Sequence, residues 1–285
     1  MSATRSSVVA VGDNVVDRYD SLGLTFPGGN CVNVAVFAAR AGASSAYVGV
    51  VGHDSDGDLI HQALQAESVN VTHLHRADGR TAYCVIGHHD GDRVFLRDDL
   101  GVSRFHPSPD DLGFIGTHDA AHVGFSSGLD ADIAAMTTRT RLSYDFSVHR
   151  DADHVSAVAP LCYLAAFSGG DLTLDEIEGL STMALQAGAE WVLITRGAAG
   201  AFLAHRDALW LCPPAEAPQI VDTLGAGDAF IAATLVGLLD RKAPSSVLSE
   251  AAAAAARTCA GYGAFGYPRT ALVAALQENT PRRQK

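Results

Sequence analysis

The chain has 285 residues, 48% of them apolar and 18% charged, with 28 glycines; these proportions exclude a disordered chain or a disulfide-stapled mini-protein and fit one large globular unit. Twenty Lys and Arg stand against 32 Asp and Glu, a net charge of −12, so binding to nucleic acid or to an anionic membrane lacks its electrostatic drive. The five cysteines (Cys31, Cys84, Cys162, Cys212, Cys259) are scattered, with no Cys-x-x-Cys spacing, and read as reduced thiols; no apolar run reaches the ~20 residues that cross a bilayer. A soluble cytoplasmic protein is expected.

From the N-terminus, residues 8–11 read as a buried strand and 14–26, which lack helical periodicity, as further strands. A helix follows over 32–41, then a strand over 46–51, a helix over 58–66 and a short strand over 71–75. Residues 80–87 and 93–97 are β-like and joined by His88-His89-Asp90-Gly91-Asp92, where Asp-Gly marks a hairpin turn. The α/β rhythm then resumes: strands over 122–125, 142–146, 161–166 and 191–195, with helices over 130–140, 174–187 and 226–239, and a closely packed helix through the alanine run 251–256. Thr173-Leu174-Asp175-Glu176 has the form of a capping box. This alternation predicts a mostly parallel sheet covered by helices on both faces, as one α/β domain over residues 1–285. The segments near 14–27 and 80–98 form a small inserted β lid. Residues 281–285 read as a frayed tail.

Three segments carry chemistry. Asp222-Thr223-Leu224-Gly225-Ala226-Gly227-Asp228 runs into the apolar helical pattern that follows it, so a Gly-rich turn leaves free N–H groups at a helix start, an anion site suited to a transferring phosphoryl group. Asp228, in the same first turn, can accept a proton from an alcohol; the plain alternative is an Asp that only caps its helix. In Gly28-Gly29-Asn30-Cys31-Val32-Asn33 the glycines permit close approach of a ligand, and Asn30 and Asn33 share one helix face where their amides can meet hydroxyls; the alternative is a helix cap. Gly12-Asp13-Asn14-Val15-Val16-Asp17 lies at the C-terminal end of the first strand, where open α/β sheets bind ligands, and Asp13 and Asp17 can grip a polyol, although Asp-Asn there also suits a plain turn. No Gly-x-Gly-x-x-Gly follows the first strand, against a Rossmann dehydrogenase, and no expected helix carries a histidine pair at metal-site spacing.

Taken together, Gly28–Ala35, Val51-Gly52-His53-Asp54-Ser55-Asp56-Gly57 and Asp222–Asp228 resemble the signatures of the ribokinase-like, or phosphofructokinase-B, family of carbohydrate kinases. The resemblance implies a Rossmann-like (ribokinase-like) α/β domain with a β lid, ATP as phosphoryl donor, Mg²⁺ and a sugar-like alcohol as acceptor. It implies Asp228 as base and Gly225, Ala226 and Gly227 as anion hole, with Asp222 and Thr223 in the same turn. It places Thr195, Gly197 and Gly200 on the nucleotide side, Ala254 and Gly263 around the adenine, and Asp13, Gly28, Gly29, Asn30 and Asn33 on the sugar. Where relatives carry Asn-x-x-Glu, this chain has Ser168-Gly169-Gly170-Asp171, so Ser168 and Asp171, or else Glu176, stand as metal candidates. The family also implies a monovalent cation (K⁺) near the turn and a homodimer through the lids. Within the family the likeness is to fructoselysine 6-kinases, carried by Gly12–Asp17, the short spacer to Phe26, Asp92-Arg93-Val94-Phe95 and Ser168. That implies transfer to the 6-hydroxyl of a fructosamine, a sugar–amino acid conjugate whose arm Arg93 and His89 can face. The alternatives are a kinase of fructose, ribose or adenosine, and a catalytically silent sugar-binding regulator.

Overall fold

The computed structural model describes residues 5–270 except 90, 91, 207 and 218, and of 88, 89 and 92–95 it describes the backbone alone. The chain begins with β1 (Ser7–Val11), β2 (Val15–Tyr19) and β3 (Leu24–Gly28), then α1 (Asn30–Arg40), β4 (Ser44–Gly52), α2 (Ser55–Ala66) and β5 (Asn70–Ala77). The hairpin β6 (Tyr83–His89) and β7 (Asp92–Asp99) follows, then α3 (Pro109–Ile115), β8 (Ala120–Gly124), α4 (Ile133–Met136) and β9 (Arg141–Asp145). The second half holds α5 (Ala152–Val158), β10 (Cys162–Ser168), α6 (Leu174–Ala187), β11 (Trp191–Thr195), β12 (Ala201–His205), β13 (Ala208–Cys212), α7 (Ala226–Leu239), α8 (Pro244–Thr258) and β14 (Arg269–Thr270).

Among the described residues the strands make two sheets. The larger has the order β13-β12-β11-β10-β9-β8-β1-β4-β5; β11 through β5 pair in parallel, and β12 and β13 add an antiparallel edge. Both faces are covered, as β1 shows residue by residue. Val8 and Ala10 pack into the core shared with α1, α7 and α8, whereas Val9 and Val11 pack into the one shared with Ile115, Ile133, Val155 and Ile177. A strand buried on both sides reads as an unbroken apolar run, which is why the parallel strands were legible. The smaller sheet has the order β14-β3-β2-β6-β7, with β2 and β6 parallel and the other pairs antiparallel.

Several elements differ from the sequence expectations. Residues 130–140 hold only the single turn α4 instead of a long helix: Thr137 and Thr138 hydroxyls bond back to the carbonyls of Ala134 and Ala135, and β-branched residues there do not sustain the helix. The sequence reading omitted β12 and β13, the short helices α3 and α5, and the start of α8. The capping box is present, Thr173 accepting from the Glu176 amide while Glu176 accepts from the Thr173 amide. Residues 281–285 lie outside the described residues.

Val51–Gly57 forms a clasp between the sheets. Asp54 caps α2 by accepting from the Gly57 amide at 2.8 Å, and its carboxylate also takes the Thr81 hydroxyl at 2.6 Å and amide at 2.8 Å, fixing the entry to β6.

Candidate active site

The site lies beyond the C-terminal ends of β1, β8 and β9, where the N-termini of α1 and α7 converge. Asn30, the first residue of α1, joins its parts. Its amide nitrogen donates to Asp228 Oδ1 at 2.8 Å and to Asp145 Oδ2 at 2.9 Å, and its amide oxygen faces His122 Nε2 at 3.0 Å. Gly124 makes room for it, since a Cβ there would fall 2.3 Å from Asn30 Oδ1. One turn on, Asn33 donates to Asp228 Oδ2 at 2.7 Å while its own Oδ1 is buried without a hydrogen-bond partner. Asn30 and Asn33 therefore share a helix face and clamp one carboxylate.

Asp13 anchors the start of α1. It accepts from the Asn30 amide at 2.9 Å, the Cys31 amide at 3.3 Å and the Ser127 hydroxyl at 3.0 Å. Gly29, at φ +105°, leaves no room for a side chain, as a Cβ would lie 2.7 Å from Asn14 Cα. Asn14 is tied to the Tyr47 hydroxyl and the Val50 carbonyl, and its Oδ1 is buried without a partner. Asp17 is buried on β2 beneath Gly28, whose Cβ would fall 2.1 Å from its carboxylate.

At the head of α7, Gly225 has φ +79°, and a Cβ on it would meet Ala264 at 2.6 Å, so only glycine suits this turn. A Cβ on Gly227 would meet nothing within 4 Å, which leaves open space where the first amides of α7 lack helical acceptors. Asp222 organises the turn from below: it accepts from the Leu224 amide at 3.0 Å, the Gly263 amide at 3.2 Å and the Tyr19 hydroxyl. Thr223 is exposed beside it.

Burial and crowding set the electrostatics. Desolvation raises Asp228 to about 7; the nearby charges of Asp145 and Asp13 raise it too, and the two asparagine amides oppose them. Asp145 rises to about 6 for the same leading reason, while burial pulls His122 down to about 3. His122 is therefore neutral. With Asn30's nitrogen committed to two carboxylates, its oxygen needs a donor, so His122 carries its proton on Nε2 and accepts from the Ser143 hydroxyl at Nδ1, 2.9 Å away. The whole can hold a polyol against a carboxylate poised to take a proton, beside the open space at the head of α7, where the Ala226 amide rests on the Thr223 carbonyl at 3.3 Å.

The remaining expected residues spread further. Thr195 ends β11, its hydroxyl 3.4 Å from the Phe167 carbonyl, and Gly197 is exposed with open space around it. Gly200 serves packing, because a Cβ would fall 2.1 Å from the Cys212 carbonyl oxygen. Gly263 has φ +73° and lies against the Phe26 ring. Ala254 lines a cavity between α1, α7 and α8 with Phe37 and Thr258; none of its lining residues belongs to the Gly225–Asp228 turn. Asp171 is held by both arms of the Arg150 guanidinium at 2.9 and 2.7 Å, and Arg150 also donates to the Ser168 carbonyl. Glu176 is engaged by Thr173. Ser168 and Asp171, so arranged, do not fit a Mg²⁺ held by protein oxygens. The side chains of His89 and Arg93 lie outside the described residues.

Asp145, His122 and Ser127 were missed from the sequence. Asp145 had a signal, an acid at a parallel strand's C-terminal end like Asp13; a lone histidine inside an apolar strand gave none.

The sequence profile of pfkB family carbohydrate kinases matches residues 14–135 and 164–268. The chain is 39% identical over 265 residues to the fructosamine kinase FrlD of Bacillus subtilis, covering 91% of this chain and 93% of that one. It is 31% identical over 262 residues to the fructoselysine 6-kinase of Escherichia coli, covering 91% and 99%. Among solved structures, Arabidopsis thaliana ribokinase complexed with ribose and ATP superposes with a TM-score of 0.79 at 20% identity, covering 92% of this chain and 95% of that one, a likeness of fold.

Proposed function

The chain belongs to the pfkB family of carbohydrate kinases, and from that premise we propose that it transfers the γ-phosphoryl group of ATP to the 6-hydroxyl of a fructosamine such as fructoselysine. The chemistry rests above all on Asp228: a carboxylate with its proton affinity raised to about 7, clamped by Asn30 and Asn33 at the head of an amide-lined helix turn. In this reading Asp228 takes the proton from the attacking alcohol, and the amides of Gly225, Ala226 and Gly227 stabilise charge on the phosphoryl oxygens. The unpartnered oxygens of Asn33 and Asn14 are acceptors waiting for donors, which sugar hydroxyls supply. Asp13 keeps α1 aimed at the sugar, and Thr195 and Gly197 border the nucleotide.

The fructosamine assignment is supported by identity to a fructosamine kinase along nearly its whole length. Mg²⁺ enters as the counter-ion of the nucleotide phosphates, not as an ion held by Ser168 and Asp171. K⁺ at the Asp222–Gly225 turn and a homodimer through the smaller sheet, whose edge strand β7 exposes Leu96, belong to the same reading; assays with and without K⁺ and light scattering test them.

Incubation with ATP, Mg²⁺ and fructoselysine, followed by phosphorus NMR, tests the proposal. A phosphomonoester on C6, formed in step with ADP, is expected. Phosphorylation of fructose, ribose or adenosine but not of the conjugate would discard the substrate, and sugar binding without any phosphoryl transfer would point to a silent regulator.

A further inference from the structure

The edge strand β5 and the helix α3, on a different part of the fold from the Asp228 cluster, bring three ligand-bearing side chains together. His73 and His75 stand two residues apart on β5, so both leave the same face of the strand. Asp111, the third residue of α3, meets them: His73 Nδ1 lies 2.7 Å and His75 Nε2 2.8 Å from the same oxygen, Asp111 Oδ1. The three donor atoms all fall within 4.8 Å of one another.

Their surroundings fix this convergence. The other carboxylate oxygen, Asp111 Oδ2, takes the Ser108 amide at 2.9 Å and the Ser108 hydroxyl at 2.7 Å, which turns Oδ1 toward the imidazoles. His73 is buried and stacked on Phe114, ring centroids 4.1 Å apart and 17° from parallel. His75 is exposed, so the cluster opens to solvent on one side. Such an outer hydrogen bond to a ligating carboxylate is what orients it in metal sites.

We propose that His73, His75 and Asp111 form a binding site for a transition-metal dication of the Zn²⁺ class, with a fourth position left to water. Two imidazoles and a carboxylate suit Zn²⁺, Co²⁺ or Ni²⁺, whereas Mg²⁺ and Ca²⁺ call for oxygen donors throughout. Ligand atoms on a tetrahedral ion of this class sit about 3.3 Å apart, so each imidazole nitrogen needs to draw back from Asp111 Oδ1 by only about half an ångström, and the two nitrogens already stand within 4.8 Å of each other. Each neutral imidazole moves its proton to the ring nitrogen facing away, freeing a lone pair for the ion. The bound ion pins the edge strand of the larger sheet to α3 and stabilises the folded chain by mass action.

The test uses tag-free, chelator-treated full-length protein titrated with Co²⁺ by visible absorption and with Zn²⁺ by equilibrium dialysis, alongside thermal unfolding. One equivalent bound with micromolar or tighter affinity at pH 7.5, a raised melting temperature, and at least tenfold weaker binding at pH 5.5 are expected. His75→Ala, at an exposed position, is expected to keep the circular dichroism spectrum and lose at least tenfold in affinity. His106→Ala, an exposed histidine paired with Asp132 elsewhere, is expected to bind as the parent does. Absence of stoichiometric binding in the parent, or equal affinity in His75→Ala, overturns the assignment.

Discussion

Asp228 is costly to the fold in proportion to its use. The folded chain holds its proton up to about pH 7, whereas the unfolded chain releases it near the ordinary carboxylate value of 3.8, so stability falls as pH rises between those two values. Asp228→Asn is therefore expected to stabilise the protein by about 1–2 kcal/mol at pH 8, with the gain shrinking toward zero near pH 4, as measured by urea unfolding. On the proposed mechanism the same proton governs activity. The rate kcat/KM should climb with unit slope below pH 7 and level off above it. Asp145→Asn, which removes one of the charges that raise Asp228, should move that midpoint downward; an unmoved midpoint would separate the titrating group from this pair. At this scale the sequence displayed Asp228, Asn30 and Asn33 because Gly-rich turns and a helical i,i+3 spacing mark them. Asp145 showed only as an acid at a strand end and His122 not at all, since their partner Asn30 is 115 and 92 residues away and only the parallel register of β8 and β9 brings them to it.

Among the elements, the turn into α7 offers the sharpest contrast between fold and function. Gly225→Ala forces a methyl against Ala264 at a left-handed backbone position and is expected to destabilise by about 1–3 kcal/mol, seen as an earlier unfolding midpoint. Gly227→Ala meets no protein atom, so it should fold normally and instead raise KM for ATP by filling the space the phosphoryl oxygens need; an unchanged KM would place the phosphates elsewhere. The helices α6 and α7 and the strand β11 were legible to the residue because caps, glycines and continuous apolar runs bound them. The helix expected over 130–140 was not legible as a single turn, because its threonines' back-bonding to carbonyls is a tertiary choice that apolar spacing does not reveal.

For the whole molecule, the two sheets are joined where the chemistry is. The Tyr19 hydroxyl on β2 of the smaller sheet reaches Asp222 beneath the α7 turn, and Asp54 ties α2 to the entrance of β6. Tyr19→Phe leaves Asp222 with the Leu224 and Gly263 amides but removes the link, so a loss of about 1–3 kcal/mol with a lower kcat is expected. The small sheet was visible in the sequence as a break in α/β rhythm, but its attachment was not, because Asp54 and Asp222 read there only as parts of family signatures.

The most direct measurement is coupled ADP release from ATP and Mg²⁺ with fructoselysine and with fructose, for the parent chain and Asp228→Asn. The account predicts a strong preference in kcat/KM for the conjugate and a loss of kcat of about 10²–10⁴-fold in the variant, with conjugate binding retained. Turnover in Asp228→Asn within about tenfold of the parent would contradict the base assignment, and equal or better use of fructose would contradict the fructosamine assignment.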